Sequence, residues 1–93
     1  MAAAAARIKR ISLELGGQSP FIVCADADLP AAAASAAHRA FSNMGQICVS
    51  VNRIYVADEV AEAFTDQLVS LAESLKIGDG MQPDVDLGPM FRS

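Results

Sequence analysis

The sequence predicts an α/β protein: a partial parallel sheet whose strands are joined by crossover helices. Three observations carry that prediction. Two short apolar runs, Phe21-Ile22-Val23-Cys24-Ala25 and Val51 to Val56, have the length and composition of sheet strands. The alanine-rich stretch between them, Leu29 to about Met44, is long enough for a helical crossover. A further helix from Asp58 to about Lys76 carries Val60, Phe64, Leu68, Leu71 and Leu75 on one face, the stripe that packs against a sheet or a second helix.

The elements follow in chain order. Residues 1–6 are almost entirely alanine, and 1–7 is expected to fray. Ile11-Ser12-Leu13-Glu14-Leu15 alternates apolar and polar side chains, the period of a strand with one buried face, and Gly16-Gly17 stops it. The unbroken run after Pro20 is the pattern of a strand buried on both faces. Asp26-Ala27-Asp28 offers N-cap carboxylates, and Pro30 falls in the first helical turn, where its missing N–H costs nothing. Ala34, Ala37, His38 and Phe41 fall at i, i+3, i+4 and i+7 on one face of that helix, with His38 packed or solvated and Gly45 a left-handed C-cap. Ile54-Tyr55-Val56 centres the next buried strand, and residues 78–93 read mostly as loop. The order strand, strand, helix, strand, helix implies a right-handed crossover. Two helices cannot cover both faces of a parallel sheet, so one face or edge is expected to stay bare.

Composition bounds the function. At 93 residues the chain has room for about one small domain. Its 53% hydrophobic content is inflated by alanine, and with no Trp the core must rest on Ile, Leu, Val, Met and four Phe. A net charge of −4 gives neither a nucleic-acid footprint nor a lure for anionic membranes, and no apolar run approaches a spanning helix. Cys24 and Cys48 are too few for a disulfide framework or a thiolate metal site. A reduced, cytoplasmic setting is the expectation, and His38, the only histidine, leaves no metal site to assign. The acidic stretch Gly78 to Asp86 lacks calcium-loop spacing and reads as turn chemistry.

Two residues are candidates for chemistry. Cys48 follows a predicted helix end and Gly45, where its thiolate can attack an electrophilic carbon while backbone N–H groups hold the oxyanion. The plain alternative is a small buried hydrophobe. Glu14, between Leu13 and Leu15 and ahead of Gly-Gly, can serve as a general base in a partly dry site, or can sit on the solvent face of its strand. Gly16-Gly17 permits close backbone approach, but neither phosphate-loop pattern occurs in the chain.

Leu13-Glu14-Leu15-Gly16-Gly17-Gln18-Ser19-Pro20 and Phe41-Ser42-Asn43-Met44-Gly45-Gln46-Ile47-Cys48 resemble the two signature segments of the NAD(P)-dependent aldehyde dehydrogenase superfamily, E-L-G-G-[KQ]-[SA/N]-P and F-x-N-x-G-Q-x-C. Glu14 and Cys48 stand 34 positions apart, the family's separation. Asp26-Ala27-Asp28-Leu29, Asn52-Arg53-Ile54-Tyr55-Val56 and Leu87-Gly88-Pro89-Met90 fit the stretches between and after, so the resemblance runs from about Ile8 to Met90. It implies that the sheet is part of an aldehyde dehydrogenase catalytic domain.

By that resemblance Cys48 is the nucleophile and Glu14 the general base. Leu15 and Gly16 lie beside the nicotinamide, and Ile47 and Val49 line the aldehyde tunnel. The Cys48 N–H is half of the oxyanion hole. The resemblance implies NAD or NADP as cofactor, an aldehyde as substrate, the rest of a longer enzyme as partner, and a homo-oligomeric parent. Family members are several times longer than this chain. Their dinucleotide-binding domain and the Asn that completes the oxyanion hole precede the Glu14 segment, and the Glu that binds the nicotinamide ribose follows. The chain therefore reads as an internal fragment or truncated gene product, expected to bind no cofactor and to be inactive alone. Two other classes stay in view: a non-enzymatic α/β module that associates through an uncovered apolar sheet, and a thiol sensor using Cys24 and Cys48.

Overall fold

The computed structural model describes residues 2–7 and 9–91. Met1, at the edge of the expected frayed start, Ile8, where the family resemblance begins, and Arg92 and Ser93, in the expected terminal loop, lie outside the described residues. Ala2–Ala5 makes a single helical turn, α1. The body of the protein is β1 (Ser19–Val23), α2 (Leu29–Phe41), β2 (Val51–Val56) and α3 (Ala61–Ser74), with 3₁₀ turns at Ser42–Gly45 and Asp58–Val60. The strands pair in parallel, α2 crosses between them, and the α/β class expected from the two apolar runs is the class observed.

No strand forms over Ile11–Leu15. That segment has no regular structure, and Ile11, Leu13 and Leu15 are 48%, 52% and 69% exposed. A period-two pattern becomes a strand only where a sheet edge pairs with it, and among the described residues the two strands pair only with each other. β1 instead begins at Ser19, with Pro20 inside it. A register irregularity between Ser19 and Pro20 places the residue without an N–H where the ladder is already interrupted.

The strand expected to be buried on both faces is buried on one. Val23 is buried and Phe21 packs against the core, whereas Ile22 and its cross-strand partner Tyr55 are 71% and 51% exposed. Both helices lie on the other side, so the bare face expected from counting helices is the one bearing Ile22 and Tyr55.

The Asp28 carboxylate accepts the Ala31 N–H at 3.1 Å, and Pro30 occupies the first turn, so α2 starts as the sequence indicates. It ends at Phe41, three residues short of the expected limit, because Asn43 and Met44 enter the left-handed region. Its packed face is Ala33, Ala36 and Ala37, while Ala34 and His38 are exposed. In a helix of near-uniform alanine no face is marked by larger apolar side chains, and packing chooses the phase.

Ala33 and Ala36 keep no exposed surface and let α3 approach closely, with Phe64 (1% exposed) filling the seam beside Val23. Val60 and Leu68 extend the seam as the stripe on α3 requires, but Leu71 is 36% exposed. Beyond α3 the chain folds back through a parallel bridge between Ile77 and Leu87. Asp86 and Leu87 both donate their N–H groups to the Lys76 carbonyl, at 2.9 and 3.1 Å. This return carries residues 88–91 toward the C-terminal end of α2, where Asp86 and Leu87 share a groove with His38, Phe41 and Ser42. Among the described residues no helix is long and apolar enough to cross a membrane.

Candidate active site

The site assembles where the α2–β2 loop meets the segment that precedes β1. The loop is an unusual one. Asn43, Met44 and Gly45 have φ of 50°, 56° and 72°, three successive residues in the left-handed region. Glycine takes that conformation freely, but a residue with a Cβ gives up about 1–2 kcal/mol to do so. Local hydrogen bonds offset the cost. Asn43 Nδ2 donates to the Gln46 carbonyl at 3.2 Å, and the Gln46 N–H and Nε2 both donate to the Asn43 carbonyl, at 3.0 and 3.3 Å.

Farther along, the Ser50 N–H donates to the Ile47 carbonyl at 3.0 Å, closing a turn over Cys48 and Val49. Ser50 Oγ reaches the Arg39 and Ala40 carbonyls at 3.3 and 3.4 Å, two of the carbonyls that the end of α2 leaves without a helical partner. Cys48 therefore rides on a short turn moored on both sides. Its side chain is exposed, and among the described residues its N–H donates to no backbone carbonyl.

Gly17 supplies the link to the second motif. A Cβ on Gly17 would collide with the Cys48 carbonyl oxygen and would stand 3.3 Å from its carbonyl carbon and 3.9 Å from its Cα. Backbone lies directly on backbone there, which only glycine permits. Three residues span at most ~11 Å, so the Glu14 backbone is held within that reach of Gly17. Residues 34 positions apart in the sequence thus belong to one region of the surface.

The remaining expected residues group around this contact. Glu14, Leu15 and Gly16 are exposed, and nothing stands within 4 Å of the position a Gly16 Cβ would take. Ile47 and Val49, on either side of the thiol, are 39% and 51% exposed. These exposed residues make an open floor. A groove lined by Asn43, Met44, Gln46, Pro89 and Phe91 begins two residues before Cys48. Cys24, also exposed, lies just beyond β1 at the far end of the strand from the Ser19 start. Asp79 accepts the Met81 N–H at 3.0 Å in a local turn, and no group of three His, Cys, Asp or Glu is placed to hold a metal among the described residues.

No local pattern marks Asn43, Gln46 and Ser50 for the hydrogen bonds they make. The available signal was a cluster of polar, turn-competent side chains on both sides of Gly45 and Cys48, which reads as generic loop until the partners are known. The use of Gly17 was legible as close approach, but its partner turned out to be the Cys48 backbone.

A sequence model of the aldehyde dehydrogenase family matches residues 1–93, and the chain belongs to that family. It is 49% identical over 85 residues to a probable succinate-semialdehyde dehydrogenase [NADP(+)] of Sinorhizobium fredii, covering 91% of this chain and 17% of that protein. It is also 49% identical over 91 residues to a glutarate-semialdehyde dehydrogenase of Pseudomonas aeruginosa, covering 98% and 19%. The crystal structure of an aldehyde dehydrogenase from Brucella melitensis biovar abortus superposes with a TM-score of 0.93 at 49% identity, over 99% of this chain and 19% of that one. The chain thus spans about a fifth of the length of the proteins it matches.

Proposed function

We propose that this chain carries the nucleophile and the general base of an NAD(P)-dependent aldehyde oxidation, and that it works as part of a longer enzyme. The observation supporting this reading is the seating of Gly17 on the Cys48 backbone, which holds the Glu14 segment beside an exposed thiol.

Cys48 is the nucleophile. Only a few per cent of an ordinary thiol is ionised at pH 7, but that fraction is strongly nucleophilic. The thiol proton is lost to solvent on ionisation, the Cys48 sulfur forms a bond to the aldehyde carbon, and the carbonyl π pair moves to oxygen, giving the thiohemiacetal as its alkoxide. The Cys48 N–H is one donor for that oxygen, because no backbone carbonyl among the described residues claims it. Ile47 and Val49 flank the sulfur with apolar surface, which suits the carbon chain of an aldehyde and offers no charge to a distal group.

Leu15 and Gly16 fit one face of a flat heteroaromatic ring: an exposed apolar side chain beside a position with open space where a Cβ would stand. They hold only the ring end of a dinucleotide, since the chain has no phosphate-cradling loop. When bound, the nicotinamide of NAD or NADP supplies the hydride acceptor that turns the thiohemiacetal into a thioester. Glu14 then removes a proton from water as the water oxygen attacks the thioester carbon. The carbon–sulfur bond breaks, the acid is released, and the proton held by Glu14 passes to the departing Cys48 sulfur, restoring the thiol and the carboxylate. Two exposed free cysteines suit a reducing compartment, consistent with a cytoplasmic enzyme.

The test compares the two thiols. Under limiting alkylating reagent Cys48 is expected to react at least tenfold faster than Cys24, since both are exposed and they differ in surroundings. Equal rates would remove the basis for naming Cys48 the nucleophile.

A further inference from the structure

Gln46 ties the Cys48 turn to a remote part of the chain. Its Oε1 accepts the backbone N–H of Phe91 at 3.0 Å, a contact between residues 45 positions apart. The same side chain donates through Nε2 to the Asn43 carbonyl at 3.3 Å, and the Gln46 backbone N–H donates to that carbonyl at 3.0 Å. One amide group thus holds the left-handed segment on one side and the returning C-terminal segment on the other. Asn43, Met44, Gln46, Pro89 and Phe91 line the groove between them.

The returning segment is itself fixed. Lys76 donates its N–H to the Asp86 carboxylate at 2.9 Å, and the Lys76 carbonyl accepts the N–H groups of Asp86 and Leu87. These bonds close the return as far as Leu87, and Phe91, four residues beyond and 86% exposed, is held by the Gln46 side chain. Gln46 lies two residues before Cys48, a distance of at most ~7 Å along the backbone. On the other side Ser50 holds the turn to the end of α2.

We propose that Gln46 is a positioning residue for Cys48: its side-chain amide braces the nucleophile's turn against the 86–91 return. Gln46 touches no reacting atom and acts by fixing where the Cys48 sulfur and N–H point. Glutamine suits the task because one planar group both accepts and donates. A carboxylate keeps only the acceptor, and a thioether of similar length keeps neither as a useful partner. The proposal rests on Cys48 being the nucleophile, and its test is arranged so that the two ideas fail separately.

The experiment uses the 93-residue chain and its Q46M and Q46E variants. Competitive alkylation with iodoacetamide is mapped to Cys48 and Cys24 from about pH 6 to 10, across the ordinary thiol range. Q46M is expected to bring the Cys48 rate at least threefold closer to that of Cys24, with the Cys24 profile unmoved. Q46E, which can still accept the Phe91 N–H, is expected to recover part of the difference. Amide hydrogen exchange on the unmodified chain supplies a reading that needs no variant: the Phe91 N–H should exchange at least tenfold slower than its unprotected rate. An unprotected Phe91 amide overturns the proposal, as does a Cys48 profile that Q46M leaves unchanged or shifts together with Cys24. If Cys48 of the unmodified chain reacts no faster than Cys24, the nucleophile assignment fails instead.

Discussion

Replacing Gly17 by alanine attacks the joint between the two signature segments with a single methyl group. The added Cβ would run into the Cys48 carbonyl oxygen, and its next neighbours, at 3.3 and 3.9 Å, are also Cys48 backbone. Main chain cannot swing away as the tip of a side chain can, so the segments must part by on the order of 1 Å. Overpacking of this kind typically costs ~1–3 kcal/mol. Residues 9–18 are exposed and irregular, which lets the segment lift and places the cost near ~1 kcal/mol, a fall in melting temperature of roughly 4–8 °C for a chain of this size.

The functional loss should be much larger. A misplacement of about 1 Å between reacting groups can cost ~100-fold in rate. The assay acylates Cys48 with a p-nitrophenyl ester, which needs no hydride transfer, and follows hydrolysis of the isolated acyl-thioester. G17A should slow that hydrolysis ~100-fold, whereas G80A, outside the site, should match the unmodified chain, because its Cβ meets nothing within 4 Å. Combining G17A with Glu14→Gln should be no slower than Glu14→Gln alone, since both remove the same contribution. Unchanged hydrolysis and melting in G17A would refute the inferred contact.

Three further outcomes are expected. Phe64→Ala, in a core with so few large side chains, should cost ~3–5 kcal/mol and lose the cooperative thermal transition seen by circular dichroism. Asp28→Ala should cost ~1 kcal/mol by freeing the Ala31 N–H, read as a lower urea midpoint at constant slope. The pure 93-residue chain should yield no NADH from NAD and an aldehyde, because ring contact at Leu15 and Gly16 alone does not hold a dinucleotide in reacting position; a steady NADH signal abolished by Cys48→Ser would contradict this.

The parts of the fold that the sequence made legible are those specified by local chemistry. Asp28 and Pro30 mark the start of α2 because capping and the proline constraint act within four residues. The stripe from Val60 to Leu68 marks the buried side of α3 because large apolar side chains stand out from polar neighbours. Where the answer depended on a partner, the pattern misled. Ile11–Leu15 has a strand's alternation but no edge to pair with among the described residues, and the alanines of α2 announce a helix without saying which face is packed.

The site divides in the same way. The two motifs that hold Glu14 and Cys48, and their separation, stand in the sequence, while the contact that joins their segments does not. A glycine's tolerance of close approach is a local property, but the identity of what approaches is set by the tertiary fold. Asn43, Gln46 and Ser50 illustrate the point again, since their hydrogen bonds run to carbonyls and an N–H that no local pattern selects.

The central claim is that the Glu14 carboxylate works on the carbon bound to the Cys48 sulfur, and single-turnover hydrolysis of acyl-Cys48 tests it most directly. Glu14→Gln should leave the acylation burst intact and slow the release of acid by ~100-fold, the lower end of what a positioned general base contributes. Release at the same rate in both proteins would mean that the two groups do not meet, and the proposed chemistry would be wrong.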